Sequence, residues 1–303
     1  MYQQTITEKV SCTGIGLHSG APVHLTLFPA RADSGIVFVR IDTPVPTEIP
    51  ARAAEVASTA FATTLGRGDA TVATVEHLLA ALFGLGIDNV RIEVDGPELP
   101  VMDGSAAPFV YLIRSAGIFT QREPRHALQV TQKLEVIDGD RRISVEPARE
   151  CRVDYAVEFD HPAIRRQEFH MGTVDAHHFE REISAARTFG FLAEVRELWK
   201  AGLGRGGSLE NAVLLDEEKV VNPDGLRWKD EFVRHKVLDL FGDLALLGMP
   251  IQGHLRVERG GHALHQKFVS EVLANPDAWE IVRSGSHGAR GISLSRIAAA
   301  ARF

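Results

Sequence analysis

The chain is poor in sulfur. Its 303 residues include two cysteines, Cys12 and Cys151, far apart in sequence. They form no Cys-x-x-Cys pair and no disulfide framework, which points to a reducing compartment. A long apolar run is also missing. No stretch of about 18 apolar residues occurs, so no membrane-spanning segment is expected. The most apolar long segment, HLLAALFGLGI at 77–87, is broken by glycines and reads as a core helix. The N-terminus, MYQQTITEKV, has no basic region followed by an apolar run. No signal peptide is read there, and a cytoplasmic location is the expectation. Positive charge is scarce too: 33 Lys and Arg stand against 40 Asp and Glu, a net charge of −7. That excludes a general attraction to nucleic acid or anionic lipid. An anionic substrate would have to be held by local positive groups or by a metal.

What is present is a globular composition, 45% hydrophobic and 24% charged. The length suits one large domain or two of ordinary size. VHLTLF (23–28) alternates as a half-buried strand does, and GIVFVRI (35–41) is similar. GIGLHSG (14–20) reads as a turn-rich loop. TVEHLLAALFGLG (74–86) reads as a helix with Thr74 as its N-cap, followed by a strand NVRIEV (89–94) and a helix APFVYLIRSAG (107–117). A polar linker, TQREPRH (120–126), comes next. The pattern then restarts with a hairpin over 127–147, turning near Asp138-Gly139, and a strand VDYAVEF (153–159). A helix at 232–248, a strand at 254–258 and a helix at 261–274 complete the chain's readable elements.

The two halves can be superposed. His77 precedes Phe83-Gly84, and His235 precedes Phe241-Gly242. Both read H-x5-F-G in an apolar helix, and both helices lead into a short strand and another helix. The expected fold is therefore α+β, two related lobes from an internal duplication, each a sheet layered with helices. The lobes are placed at 1–122 and 126–303. The second carries extra sequence, AARTFGFLAEVRELWKAGLGRGGS (185–208), with no counterpart in the first. Insertions in a repeated scaffold often carry substrate contacts.

Equivalent helices of duplicated lobes can pack at a shared interface. His77 and His235 would then face one cleft. Asp239, one turn beyond His235, adds a carboxylate on the same helix face. Two histidines, a carboxylate and an open position are the usual make-up of a catalytic zinc site. The same residues also read as a satisfied core histidine and a surface carboxylate. Glu76 adjoins His77 and points about 100° away along the helix. It is placed to take a proton from water beside a metal, or to be a solvated glutamate. His262, in RGGHALHQ, reads as a general acid or as a helix-start residue, with Asp243 as its charged partner. Lys236 can hold a phosphate, and Thr188 in ARTFGF can donate to an oxyanion. Phe159 and Phe189 read as core residues or as aromatics that stack on a base. Gly207 lies in GGS (206–208), too short for a phosphate loop.

These segments together resemble a known family. GIGLHSG, TVEHLLAALFGLGIDNVRIEVDGPELPVMDGSAAPF, SAARTFGF, DEFVRHKVLDLFGDL and GGHALH occur in order and cover nearly the whole chain. They closely resemble the UDP-3-O-acyl-N-acetylglucosamine deacetylases, zinc amidases that commit their substrate to lipid A synthesis in Gram-negative bacteria. The resemblance implies a two-lobed fold with the active site between the lobes. It implies one Zn2+ on His77, His235 and Asp239, with iron(II) fitting the same ligands. It implies Glu76 as general base, His262 as catalytic histidine, Asp243 as its partner and Thr188 as the group that polarises the acetamide carbonyl. Lys236, Phe159, Phe189 and Gly207 match substrate-binding positions. The insertion near 190–207 resembles the segment that forms an acyl-chain passage, to which Phe191, Leu192, Val195, Leu198 and Trp199 are assigned; they equally suit a plain amphipathic helix. The substrate implied is a UDP-linked acylated N-acetylglucosamine. No nucleic-acid partner and no stable membrane insertion are expected, and the acidic balance leans towards a monomer.

One segment departs from the pattern. Some members carry a cysteine near the metal that takes up a second, inhibitory zinc. Here STAFATTL has Ala60, Phe61 and Ala62 and no sulfur, so weaker inhibition by excess zinc is expected. Two other classes stay open at this point. A metal-dependent dehydratase on duplicated lobes would use a richer histidine cluster, to which His177-His178 is the nearest approach. No glutamate stands three residues after that pair, where Arg181 lies between Glu180 and Glu182. A UDP-sugar-binding protein without activity would not need Glu76, His77, His235, Asp239 and His262 intact.

Overall fold

Alternation along the chain becomes burial in three dimensions. In the strand Pro22–Pro29, Val23, Leu25 and Leu27 are buried while His24 faces solvent. The computed structural model describes residues 1–284; residues 285–303, part of the expected second lobe, lie outside the described residues.

The first lobe is built on a five-stranded sheet in the order Val10–Ile15, Pro22–Pro29, Val90–Val94, Ile36–Arg40, Thr47–Pro50. The pairings run antiparallel, antiparallel, parallel, antiparallel. Within the seven-stranded sheet of the second lobe, Leu134–Asp138, Arg141–Glu146, Ile251–Glu258, Cys151–Phe159 and Arg165–Met171 repeat that order. They also repeat the same four orientations. The duplication read from H-x5-F-G is therefore present in the sheet topology. Two further strands, His126–Val130 and Trp279–Arg283, extend the second sheet beyond its counterpart.

Among the described residues, six α-helices are labelled in chain order: α1 (Glu76–Leu85), α2 (Ala107–Ala116), α3 (Ala176–His178), α4 (Leu192–Lys200), α5 (Glu231–Leu244) and α6 (His262–Ala274). α1 and α5 each precede the strand at the centre of their lobe's repeated set. Every residue of α1 except Phe83 is buried, and every residue of α5 except Arg234 and Lys236. A helix buried all round belongs inside a domain. Leu78, Leu79, Leu82, Val237, Leu238 and Leu240 each contribute roughly 1.5–3 kcal/mol by leaving water.

The repeated Phe-Gly pair explains how these two helices meet. Phe83 and Phe241 stack with centroids 5.5 Å apart. A Cβ added to Gly242 would lie 2.2 Å from the Glu76 carbonyl oxygen, so glycine is what permits the close approach of α5 to the start of α1. Its counterpart Gly84 makes room for the Phe179 ring instead, at 2.3 Å.

Three local expectations change. Thr74 does not cap α1: the helix begins at Glu76, and the Thr74 hydroxyl donates to Glu98 at 3.3 Å. A tertiary partner takes the hydroxyl that a local cap would use. The polar stretch 120–126 is no linker, because Ile118–Pro124 pairs antiparallel with Tyr2–Ile6 and the next strand starts at His126. The hairpin spans only Leu134–Asp138 and Arg141–Glu146; the residues before it pair with distant strands.

Candidate metal centre

α1 and α5 bring His77, His235 and Asp239 together, all buried, with ligand atoms within 4.8 Å of one another. The imidazole rings meet edge to face with centroids 5.1 Å apart. Asp239 Oδ1 lies 3.3 Å from His235 Nε2 and 3.8 Å from His77 Nε2. His235 Nδ1 donates to the Ala186 carbonyl at 3.1 Å, which leaves the Nε2 lone pair facing the cluster. Burial, together with the neighbouring His235, pushes His77 down to about 3, and burial lowers His235 as well. Burial alone would raise Asp239, but His235, Lys236 and His262 outweigh it and hold the carboxyl well below its ordinary range. The set is two neutral imidazoles and one carboxylate.

That set fits a divalent metal on an observation independent of the charge balance. Asp239 Oδ2 accepts from Lys236 Nζ at 2.7 Å, whereas buried Oδ1 has no protein hydrogen-bond donor. An orphaned buried acceptor costs roughly 1–3 kcal/mol, more when charged. A cation coordinated through Oδ1 and the two Nε2 atoms removes that cost. The same ion pair engages Lys236, which the sequence reading assigned to a phosphate; its ammonium also lies 5.4 Å from the Phe189 ring.

Glu76, the first residue of α1, stands on the flank of this cluster. Its Oε2 accepts from the Thr63 amide at 3.0 Å, and Oε1 lies 3.9 Å from His262 Nε2. Burial raises its carboxyl to about 7, with Asp239 adding to the effect and His262 opposing it. His262, the first residue of α6, donates from Nδ1 to Asp243 Oδ2 at 2.8 Å. Burial would lower His262, but Asp243 reverses this and lifts it to about 10. Asp243 is driven up by burial and pulled down more strongly by His262 and His265, to about 2. A carboxyl near neutrality and a cation thus lie side by side, both beside the His77, His235 and Asp239 cluster. This opposed pairing of titratable groups is typical of acid–base sites.

The insertion closes the other side. Arg187 grips Glu231 through Nε at 2.8 Å and Nη2 at 3.1 Å, and its amide donates to the same carboxylate at 3.1 Å. This buried two-pronged pair fixes residues 186–188 onto the start of α5 and so sets the Ala186 carbonyl against His235. Thr188 follows directly; its amide donates to Gly104 of the first lobe at 2.7 Å and its carbonyl accepts from Val213 at 2.8 Å. Phe189 lies 6.1 Å from the His235 ring, 5.0 Å from Phe232 and 5.6 Å from Phe159, and Phe159 lies 5.9 Å from Phe191. These aromatics lead outward from the cluster to α4. There Leu192, Val195 and Leu198 are half-buried, while Trp199 is 56% exposed and donates to the Gly204 carbonyl at 3.0 Å. Gly207 belongs to a loop that packs against residues 16–20, with Gly206 donating to the Leu17 carbonyl at 3.0 Å.

Four participants had no place in the sequence reading. Thr63 donates its hydroxyl to Asp243 Oδ1 at 2.6 Å and its amide to Glu76. His265 bonds Asp243, Tyr155 bonds His265 in turn, and the Ala186 carbonyl orients His235. His265 was discoverable, since it follows His262 at i+3 on one helix face. His177 and His178 remain outside the centre: His178 bonds Asp175 at 2.8 Å at the exposed start of α3. The dehydratase reading loses its extra histidines with them.

Comparison with known proteins identifies the family. A family model described as LpxC, UDP-3-O-acyl N-acetylglycosamine deacetylase, matches residues 3–274. The chain is 51% identical over 292 residues to the UDP-3-O-acyl-N-acetylglucosamine deacetylase of Myxococcus xanthus (strain DK1622), covering 96% of this chain and 93% of the relative. It is 53% identical over 281 residues to that of Anaeromyxobacter sp. (strain Fw109-5), covering 93% and 91%. The corresponding Shewanella violacea protein is 46% identical over 297 residues, covering 97% of each chain. By family model and by relatives alike, the chain belongs to the UDP-3-O-acyl-N-acetylglucosamine deacetylase family.

Proposed function

We propose that this hydrolase removes the acetyl group from the 2-amine of a UDP-linked 3-O-acyl-N-acetylglucosamine, releasing acetate and the free amine, as a step of lipid A biosynthesis. The observation that carries the reading is the buried, donorless Oδ1 of Asp239 between two neutral imidazoles, with Glu76 beside it. We assign His77, His235 and Asp239 as ligands of one zinc ion; iron(II) suits the same donors. When bound, such an ion polarises an amide carbonyl and makes a water easier to deprotonate.

The chain's own groups supply the rest. Glu76 Oε1 takes the proton of the attacking water, and the Thr63 amide keeps Oε2 turned away from that task. The Thr188 hydroxyl donates to the oxygen on which negative charge develops. His262, cationic through Asp243, donates its Nε2 proton to the departing amine. We put the nucleotide portion beside Phe159, Phe189 and Lys236, which lie together, and assign Gly207 to the same role. We put the acyl chain along Phe191, Leu192, Val195 and Leu198. Trp199 belongs at the outer end of that path, consistent with its exposure.

No helix among the described residues is long and apolar enough to cross a membrane. We further propose a cytoplasmic, monomeric enzyme whose two lobes divide between residues 122 and 126. The decisive test is acetate release from the UDP-linked substrate. Loss on chelation and recovery with zinc support the reading; turnover that survives complete metal removal overturns it.

A further inference from the structure

His265 and Tyr155 are fully enclosed, at 0% and 1% exposure, yet nothing in the chemistry above uses either. His265 Nδ1 lies 2.8 Å from Asp243 Oδ2, the same oxygen that receives the His262 Nδ1 proton at 2.8 Å. Its Nε2 lies 3.1 Å from the Tyr155 hydroxyl. Asp243 Oδ1 is already taken by the Thr63 hydroxyl at 2.6 Å. A leucine would fill the same volume without the cost of burying a polar ring, so a filling role does not account for a histidine here.

We propose that His265 is a positioning residue for the Asp243–His262 pair: a ring that donates from Nδ1 to Asp243 Oδ2 and so holds that oxygen facing His262, with the Tyr155 hydroxyl donating to its Nε2. This rests on the reading of His262 as the proton donor to the leaving amine.

Hydrogen-bond logic sets every proton in the network. An ionised carboxylate only accepts, so each nitrogen facing Asp243 must carry a proton. Burial lowers His265, so its ring is neutral and one proton is all it has. With Nδ1 protonated, Nε2 is an acceptor, and the Tyr155 hydroxyl must donate to it. Burial raises Tyr155 well above its ordinary value, so that hydroxyl keeps its proton. The opposite tautomer would set two lone pairs against each other across 2.8 Å. Thr63 and His265 thus pin the two Asp243 oxygens from opposite ends, and the carboxylate cannot rotate away from His262.

Gly260, the first glycine of GGHALH, supplies the enclosure. A Cβ on Gly260 would lie 2.3 Å from the Tyr155 oxygen and 2.8 Å from His265 Nε2. Bare backbone therefore closes directly over this hydrogen bond. Asp243, His262 and His265 also form a group compact enough for a cation. Both Asp243 oxygens are already filled by three donors, so the group acts as a hydrogen-bond network.

The test uses the full-length zinc-loaded enzyme labelled with 15N-histidine, with His265 assigned by its loss in His265→Asn. The expected signature is a neutral ring with the proton on Nδ1. An Nε2–H tautomer or an imidazolium overturns the proposal. In kinetics, His265→Leu lowers kcat about 10- to 100-fold with KM little changed. His265→Asn, whose amide can still donate to Asp243, recovers most of that loss. Equal kcat for His265→Leu and the parent enzyme also overturns it. Should the leucine variant fail to fold, Tyr155→Phe decides: it leaves Nε2 without its donor and the ring less firmly held, so a fall in kcat with the proton still on Nδ1 supports the proposal, and parental kcat contradicts it. The tautomer is read without turnover, so it stands or falls separately from the deacetylase reading, which acetate release tests.

Discussion

His77 and His235 touch edge to face, 5.1 Å between centroids, from the same position of two equivalent helices. The duplication supplies one imidazole twice, and the remaining duties are divided. One turn after His235 stands Asp239; one turn after His77 stands buried Ala81. Before His77 stands Glu76; before His235 stands Arg234, which bonds Asp230 at 2.8 Å and the Glu182 carbonyl at 2.8 Å. Two turns on, Asp243 corresponds to Leu85. On the proposed assignment, one helix supplies the base, and the other supplies the carboxylate ligand and the partner of the acid.

The contact between these helices is tight enough to test directly. Gly242→Ala would place a methyl 2.2 Å from the Glu76 carbonyl oxygen. Backbone cannot yield as a side-chain tip can, so α1 and α5 must separate. The expected cost is about 1–3 kcal/mol, together with weaker zinc retention, because two ligands sit on one helix and one on the other. Thermal unfolding and bound metal after dialysis measure both effects. An alanine variant with parental Tm and metal content would contradict the packing argument.

Glu76→Gln keeps the size and the Thr63 contact of the side chain but cannot take a proton. Metal content should match the parent enzyme, while kcat falls about 10²- to 10⁴-fold. Metal analysis beside steady-state turnover separates the two quantities. Full activity in this variant would remove Glu76 as the base.

Much of this was legible along the chain, and the limit follows contact distance. Strand alternation at Val23, Leu25 and Leu27 and the two H-x5-F-G helices are local patterns, and they fixed the lobes' main elements. The family resemblance gathered His77, His235, Asp239, Glu76 and His262. What stayed hidden were contacts made through backbone or across long separations. The Ala186 carbonyl has no side-chain signature, yet it sets the His235 tautomer. Thr63 is 180 residues from Asp243. Thr74 looked like a cap because capping is read locally, and Glu98 across the turn took its hydroxyl instead.

The pH profile follows from two opposed groups. Glu76 must be ionised to accept a proton, so kcat/KM rises with pH through its pKa, which burial lifts to about 7. A zinc ion on the proposed ligands would attract the ionised form and move this acid limb below that value. His262 must be protonated, so activity falls as pH passes about 10, where Asp243 holds it. Asp243→Asn removes the largest of the influences that oppose burial and leaves only the weaker pull of Asp239 and Glu76, so the alkaline limb should shift to lower pH. Profiles of kcat/KM for the parent and variant check this, and an unmoved alkaline limb would detach His262 from that limb.

Excess zinc gives the last test. The segment STAFATTL offers Ala60, Phe61 and Ala62 where a thiolate could otherwise capture a second ion. The nearest alternative group, Asp243 with His262 and His265, already uses both carboxylate oxygens for three donors. A second zinc must break those hydrogen bonds and displace a proton from His262, which Asp243 keeps cationic to about pH 10. Metal content should therefore plateau at about one zinc per chain, and activity should hold through a modest molar excess. Titration of zinc into metal-replete enzyme, with bound metal and acetate release followed together, measures both. Sharp inhibition at slight excess would show that another donor set captures the second ion. Two metals required for turnover would instead favour the dehydratase class, because the proposed His77, His235 and Asp239 set holds one.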